Sequence, residues 1–313
     1  MLPKHRTSSA FRSLVASAGP HILPGIFNAQ SARIAEAAGF PAIMLSGNAL
    51  SVTLLGKPDA GFVTLTELAQ ATSYVTSAVS IPVLVDADTG FGNAINVMRT
   101  IELLIKSGAD AIFIEDQVAP KRCGNVAGKE VIPLEEAVAK YKAAIEVRNA
   151  IDPGVVIVAR SDARGVAGGT LEEAMRRCKA YRDAGADVVF AEGLISKQEL
   201  AEFARELACP ILYNRSGVSP SLSKRELQEL GVNFVVNSGV AVRSGARAMW
   251  DYLHAYMEED ELLEQRLASE LSGHPIGNYN SFVGFPELRR LEERFLPKDE
   301  LDRRYTGSIG FLP

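Results

Sequence analysis

Cysteine is scarce in this chain of 313 residues, and the three present, Cys123, Cys178 and Cys209, are odd in number and show no CxxC spacing. That argues against a disulfide framework or a cysteine-built zinc site and points to a reducing compartment. Histidine is nearly as sparse. None of the four, His5, His21, His254 and His274, falls at the end of a strand pattern, so neither a histidine base nor a histidine metal triad is expected. No run of Lys and Arg is long enough to track a phosphate backbone, and the formal net charge is -5, which excludes nucleic acid as an expected partner. The stretch carrying Lys4, His5, Arg6 and Arg12 lacks the uninterrupted apolar segment of a signal peptide or a membrane span. The chain therefore reads as soluble and cytoplasmic.

What is present is an ordinary globular composition, 47% hydrophobic and 23% charged, with enough length for one large barrel or two modest domains. Pattern decides between them. Four passages run from a helix pattern into a small residue plus Gly and then into a strand: Ala38-Gly39, Ser107-Gly108, Ala184-Gly185 and Leu230-Gly231. Glycine ends a helix where the left-handed conformation costs least.

Runs apolar on both faces follow at Ala42 to Leu45, Ala111 to Ile114, Val188 to Phe190 and Phe234 to Val236, with similar runs at Ile22 to Phe27, Pro82 to Val85, Val155 to Ala159 and Pro210 to Leu212. Such runs suit parallel strands buried between layers. Amphipathic patterns at Leu134 to Ala150, Leu171 to Ala184 and Lys197 to Leu207 fit between them. Eight alternating units predict an α/β fold, a (β/α)8 TIM-type barrel over residues 1–245. Residues 246–313 are left over. Helix patterns at Ala246 to Asp260 and Glu261 to Leu271, then Pro- and Gly-punctuated segments around Pro275 to Pro286, predict a C-terminal helical arm packed on the barrel or swapped onto a neighbouring subunit.

Most strand patterns end in polar residues, on the face where barrel enzymes place their chemistry. They are Ser46-Gly47-Asn48, Asp86-Ala87-Asp88, Glu115-Asp116, Arg160-Ser161-Asp162, Glu192 and Asn214-Arg215. Clustered carboxylates repel unless a cation or a shared proton relieves them. Asp86, Asp88 and Glu115 from adjacent strands offer hard oxygen ligands of the kind Mg2+ takes; the plainer alternative is that each acid caps the helix after it. Asp116 and Asp162 are read as structural.

After the fourth strand comes Lys121-Arg122-Cys123-Gly124-Asn125, then Gly128-Lys129, a loop whose glycines allow closure over a substrate. Two cations beside a thiol are expected to lower its pKa and let Cys123 exchange protons near neutrality. Cys178 and Cys209 read as small hydrophobes. Arg160 is the natural fork for a substrate carboxylate, with a salt bridge to Glu192 as the alternative.

On Ser46-Gly47, Leu55-Gly56-Lys57-Pro58-Asp59, Val85 to Gly92, Ile114 to Gln117, the Lys-Arg-Cys-Gly loop and Ala159 to Ala163, the sequence resembles the isocitrate lyase and phosphoenolpyruvate mutase superfamily, in its 2-methylisocitrate lyase and 2,3-dimethylmalate lyase branch. The resemblance implies Mg2+, with Mn2+ as a substitute, on Asp88 with Asp86 and Glu115, and Asp59 close by. It implies Ser46, Gly47 and Asn48 at the carboxylate of a keto-acid product. Arg160 and Glu192 would flank its oxygen, and Asn214 would hold the rest, with Arg122, Gly124 and Asn125 on the substrate side of the loop. Arg243 aligns with a substrate-binding arginine. Cys123 would be the general acid beside Lys121, and the base stays open between Glu192, Arg160 as a modulator and a metal-bound water.

The implied activity is retro-aldol cleavage of a 2-hydroxy di- or tricarboxylic acid to pyruvate and a carboxylic acid, by a homotetramer. The alternatives are an oxaloacetate hydrolase or decarboxylase, or a carboxylate-binding barrel without catalysis. Two departures bear on substrate: Asn125 stands where the branch has His, and Met44 where it has Tyr.

Overall fold

The computed structural model describes residues 9–259 and 261–313; Lys4, His5 and Arg6 and the expected helix end at Asp260 lie outside the described residues. Eight strands run parallel: β1 (His21–Ile26), β2 (Ile43–Leu45), β3 (Val83–Asp86), β4 (Ala111–Glu115), β5 (Val156–Ser161), β6 (Val188–Ala191), β7 (Leu212–Asn214) and β8 (Phe234–Asn237). They pair in the order β6-β5-β4-β3-β2-β1-β8-β7. A parallel bridge between Val189 and Ile211 brings the two ends of this order together, so the sheet rolls into a nearly closed barrel of the expected TIM type. β7 starts two residues later than the sequence suggests, because Pro210 has no N–H to give and takes part only through its carbonyl, 3.0 Å from the Val189 N–H.

The helices are α1 (Ser9–Ala16), α2 (Ala29–Ala37), α3 (Gly47–Leu55), α4 (Leu65–Ala78), α5 (Ala94–Lys106), α6 (Leu134–Ile151), α7 (Leu171–Asp183), α8 (Lys197–Leu207), α9 (Lys224–Glu229), α10 (Val240–Glu259), α11 (Glu261–Glu270), α12 (Tyr279–Val283), α13 (Phe285–Phe295) and α14 (Lys298–Tyr305). Gly39, Gly108, Gly185 and Gly231 all have φ between 74 and 108°, as the four repeated helix ends require.

Alternate residues of each strand serve two layers. Ala111 and Phe113, with Leu23, Met44, Leu84, Val158, Phe190 and Phe234, fill the barrel interior, while Ile112 and Ile114, with Val83, Val85 and Ile157, face the helices. Phe11 of α1 is fully buried and stacks on Phe234 at 5.1 Å. The interior is a packed core, which leaves only the strand ends free for chemistry.

The chain divides into two compact units at Ser244/Gly245, a boundary that falls inside α10. In the second unit, α10 and α11 bond through Tyr252 and Glu270, and Arg289 of α13 lies over the Tyr305 ring at 3.8 Å. The eighth helix begins at Val240, directly after β8, rather than at residue 246. The helical arm expected over residues 246–313 goes on into α12, α13 and α14; Pro286 sits in the first turn of α13, where its missing N–H costs nothing. No helix among the described residues is long and apolar enough to cross a membrane.

Candidate active site

The strand ends and the loop after β4 enclose a cavity of about 20 Å³ lined by Met44, Asn48, Asp59, Asp86, Phe113, Cys123, Gly124, Asn125, Arg160, Phe190, Glu192, Asn214, Val236 and Ser238. That is room for about one water, so a substrate enters only when the loop moves. A larger groove of about 660 Å³ on Phe27, Leu50, Leu54 and Tyr74 has one titratable acid, Glu67, which is spent on capping α4. Volume alone does not locate the chemistry here.

Six carboxylates, Asp59, Asp86, Asp88, Glu115, Asp162 and Glu192, are buried in this region with three cations, Lys121, Lys129 and Arg160. The excess of negative charge has visible effects. Burial pushes Asp86 up to about 7 and raises Asp88, Glu115 and Glu192 as well, since desolvation disfavours the charged form. Lys121 Nζ bridges Asp59 at 2.5 Å and Asp88 at 2.7 Å. Burial works to lower this ammonium, but Glu115, Asp88 and Asp59 outweigh it and hold it well above its ordinary value.

Arg160 is more fully engaged than the sequence suggests. Its Nε and Nη2 donate to both oxygens of Asp162 at 2.9 and 3.0 Å, and Nη1 stands 3.2 Å from Glu115. Glu192, the expected salt-bridge partner, is 3.8 Å away. The open two-pronged fork is therefore corrected: Asp162 fills it, which leaves Arg160 its remaining donors and its charge. The Phe113 and Phe190 rings, edge to face at 6.3 Å, both pack against the guanidinium from the barrel interior, at 5.9 and 5.2 Å.

The thiol expectation is also corrected. Lys121 turns to the carboxylates and Arg122 is exposed beside Gly128; burial outweighs the pull of Lys121 on the thiol and raises the Cys123 pKa. A protonated thiol suits a proton donor. Asn48 Nδ2 lies 3.7 Å from its sulfur, and the Cys123 amide bonds to the Asp59 carbonyl at 3.0 Å. Cys178 is fully buried.

The Ser46 hydroxyl caps α3 by accepting from the Ala49 amide at 3.3 Å. Gly47 gives its amide to Asp86 Oδ2 at 3.0 Å, and a Cβ there would stand 3.0 Å from Asp86 and 3.1 Å from Asp88. Asn214 donates to Glu192 Oε2 at 3.0 Å. Asn125 packs on Gly217. Arg243, exposed in the first turn of α10 and bonded to the Gly239 carbonyl at 3.4 Å, is not among the cavity-lining residues. Arg122 is likewise not drawn in.

The acids at the ends of β3 and β4 are not helix caps; Asn93 caps α5. Their chemistry suits Mg2+. Both oxygens of Glu115 and Asp88 Oδ1 are buried without a hydrogen-bond partner, although Arg160 and Lys121 approach them as ion pairs. Among the described residues no three His, Cys, Asp or Glu side chains enclose a metal by themselves. Mg2+ needs no such cage, because it keeps several waters and uses one or two carboxylates directly.

Residues with no assigned role in the sequence reading also belong here. Phe113 and Phe190 are signalled by strand alternation that turns them inward with Glu115; Gln117 and Lys129 have no signal of their own, because they bond to the backbone of Arg122 and Gly124, which any residue supplies, and Asp162, read as structural, gains its part by pairing with Arg160.

The chain matches the phosphoenolpyruvate phosphomutase family over residues 11–257. It is 42% identical over 259 residues to a 2-methylisocitrate lyase of Aeropyrum pernix, covering 82% of each chain. It is 33% identical over 291 residues to a 2,3-dimethylmalate lyase of Eubacterium barkeri, covering 92% of this chain and 98% of that one. Among solved structures, a 2,3-dimethylmalate lyase superposes with a TM-score of 0.83 at 28% identity, over 97% of this chain and 99% of that one. An oxaloacetate acetylhydrolase with 3,3-difluorooxalacetate gives 0.82 at 27%, over 92% and 97%. A phosphonopyruvate hydrolase complex with oxalate and Mg2+ gives 0.80 at 28%, over 93% and 99%.

Proposed function

Because the chain belongs to the phosphoenolpyruvate phosphomutase family, we propose that it is a Mg2+-dependent carbon–carbon lyase acting on a 2-hydroxy di- or tricarboxylic acid of the 2-methylisocitrate or 2,3-dimethylmalate kind. The observation that carries this reading is that Cys123 lines the same closed cavity as the buried base candidate Glu192 and the cation Arg160. Asp88, with Asp86 and Glu115, would hold Mg2+, which when bound neutralises their charge and stabilises negative charge on a substrate oxygen.

Glu192 Oε1, buried and without a hydrogen-bond partner, takes the proton of the substrate hydroxyl. As that oxygen becomes a carbonyl, the carbon–carbon bond breaks and its electron pair passes to the carbon beside the departing carboxylate. That carbon takes the proton of Cys123. Product release then returns a proton from Glu192 to the thiolate through solvent, so the cycle balances. Arg160 offsets the charge on the substrate oxygen, Lys121 orients Asp59 and Asp88, and Gly124 and Asn125 close the cavity. The products are pyruvate and a carboxylic acid.

The exposed Met249, Trp250, Leu253 and Met257 of α10 support the companion proposal that this helix is exchanged with a second copy in a tetramer. A lactate dehydrogenase-coupled assay on 2-methylisocitrate, 2,3-dimethylmalate, isocitrate, citramalate and oxaloacetate, with and without Mg2+, tests the reaction. Mg2+-dependent pyruvate release from a hydroxy acid supports the lyase; consumption of oxaloacetate alone replaces it with a hydrolase or decarboxylase.

A further inference from the structure

The loop that carries Cys123 is tied down at several backbone atoms, and two of the ties come from side chains outside the proposed reaction. Gln117 brackets Arg122, its Oε1 accepting from the Arg122 amide at 2.9 Å and its Nε2 donating to the Arg122 carbonyl at 3.0 Å. Lys129 donates through Nζ to the Gly124 carbonyl. The residues immediately before and after Cys123 are thus both fixed. Lys129 is a buried cation, its side chain 3% exposed and 3.5 Å from Asp162. Its end also abuts Gly165, where a Cβ would stand 2.9 Å from Nζ and 3.2 Å from Cε.

Asp162 is the common anchor. It accepts the double bond from Arg160, lies beside Lys129, and is itself fixed by its amide on Asp116 at 2.8 Å. Burying a lysine is costly unless its charge is paired and its donors are used. Lys129 meets both demands only while Gly124 is over the cavity: swinging the loop out removes its carbonyl acceptor. The same closed position brings Gly124 so near Arg160 and Glu192 that a Cβ would be 2.4 and 2.8 Å from them.

We propose that Lys129 is a positioning residue: a latch, anchored on Asp162, that holds the Cys123 loop closed over the cavity. Because the cavity under the closed loop is too small for a substrate, each turnover breaks and remakes this latch. Asp162 is therefore the point at which the cation beneath the substrate and the fastening of the loop above it meet. The latch is a property of the loop and does not depend on which acid is cleaved.

The test is the rate at which iodoacetamide alkylates Cys123 in the ligand-free full chain, followed by mass spectrometry with Cys209 as the internal reference. Lys129→Met is expected to raise the Cys123 rate about 10-fold or more, the scale of one hydrogen bond from a charged group, with the Cys209 rate unchanged. The direction is diagnostic. Removing a nearby cation raises a thiol's pKa and slows alkylation, so an acceleration reports opening and not charge. Gly165→Ala displaces the lysine end without removing its charge and is expected to act in the same direction, which keeps the test valid where Lys129→Met folds poorly. Unchanged Cys123 rates in the folded variants, or a parallel rise at Cys209, overturn the latch. Failure of the lyase assay leaves this result intact, because alkylation needs no substrate.

Discussion

Arg160 and Asp162, two residues apart at the end of β5, share two buried hydrogen bonds, Nε to Oδ2 at 2.9 Å and Nη2 to Oδ1 at 3.0 Å. Burial works to raise the Asp162 carboxyl, but Arg160 and Lys129 outweigh it and keep it below the usual range. This planar pairing presets the guanidinium before any ligand arrives, which lowers the ordering cost of binding. It also explains why an acid read as structural matters to the site.

Lysine cannot reproduce that pairing, since it has a point charge on a flexible stem in place of a rigid fork. Arg160→Lys is expected to lower kcat/KM by about 100-fold, within the range for breaking a buried, hydrogen-bonded charge pair. Steady-state kinetics with the substrate identified by the coupled assay check it; a loss below about threefold contradicts the role.

Cys123→Ser replaces a raised thiol by a far weaker acid. Turnover is expected to fall at least about 100-fold, the lower end for losing a general acid, while calorimetry shows Mg2+ still binding. In the wild-type protein the alkaline loss of kcat is expected above pH 9, because burial lifts the thiol above its ordinary value of 9 and the donor is spent only once it ionises. An alkaline limb centred near pH 7 removes Cys123 as the donor.

Mg2+ is expected to raise the Tm more at pH 8 than at pH 6, and Asp88→Ala to abolish the shift. The sign follows from Asp86, whose folded value of about 7 exceeds its unfolded one. Without metal, this group makes stability fall as pH rises between the two values and level off above about 7. Protons then no longer compete with Mg2+, and the ligand stabilises in proportion to its occupancy. Differential scanning fluorimetry at the two pH values decides; a larger shift at pH 6 contradicts the carboxylate site.

Asp116 accepts from Ser161 Oγ at 2.8 Å, the Asp162 amide at 2.8 Å, Tyr181 Oη at 2.7 Å and Arg177 Nη1 at 3.2 Å. Asp116→Asn turns a donor toward these donors and leaves Arg177 paired only with Glu173, so urea unfolding is expected to show a loss of about 2 kcal/mol, the scale of a buried polar group left unsatisfied. A loss under about 1 kcal/mol means that the network relaxes around the amide.

The barrel was legible in the sequence because its signals are local. A strand buried on both faces needs only consecutive apolar residues, and Gly39, Gly108, Gly185 and Gly231 mark helix ends by their own backbone preference. The polar strand ends follow from the same reading, which is why Asp86, Arg160, Glu192 and Asn214 all reach one cavity; Cys123 enters it from the loop after β4, and Asp59 was expected there only from the family resemblance. A helical arm was legible after the barrel, but not the bounds of α12 and α13, because Pro275, Pro286 and the glycines between them interrupt the helical pattern.

What only the tertiary structure decided is which charge faces which. Sequence neighbours Lys121, Arg122 and Cys123 suggest a thiol beside two cations, yet Lys121 turns to Asp59 and Asp88 and Arg122 turns to solvent. Arg160 takes Asp162, and Lys129 joins them from another loop. Inside a protein, attraction between charges is strong at contact and the cost of leaving one unpaired is high. Partners are therefore chosen by final three-dimensional distances, to which spacing along the chain is a poor guide.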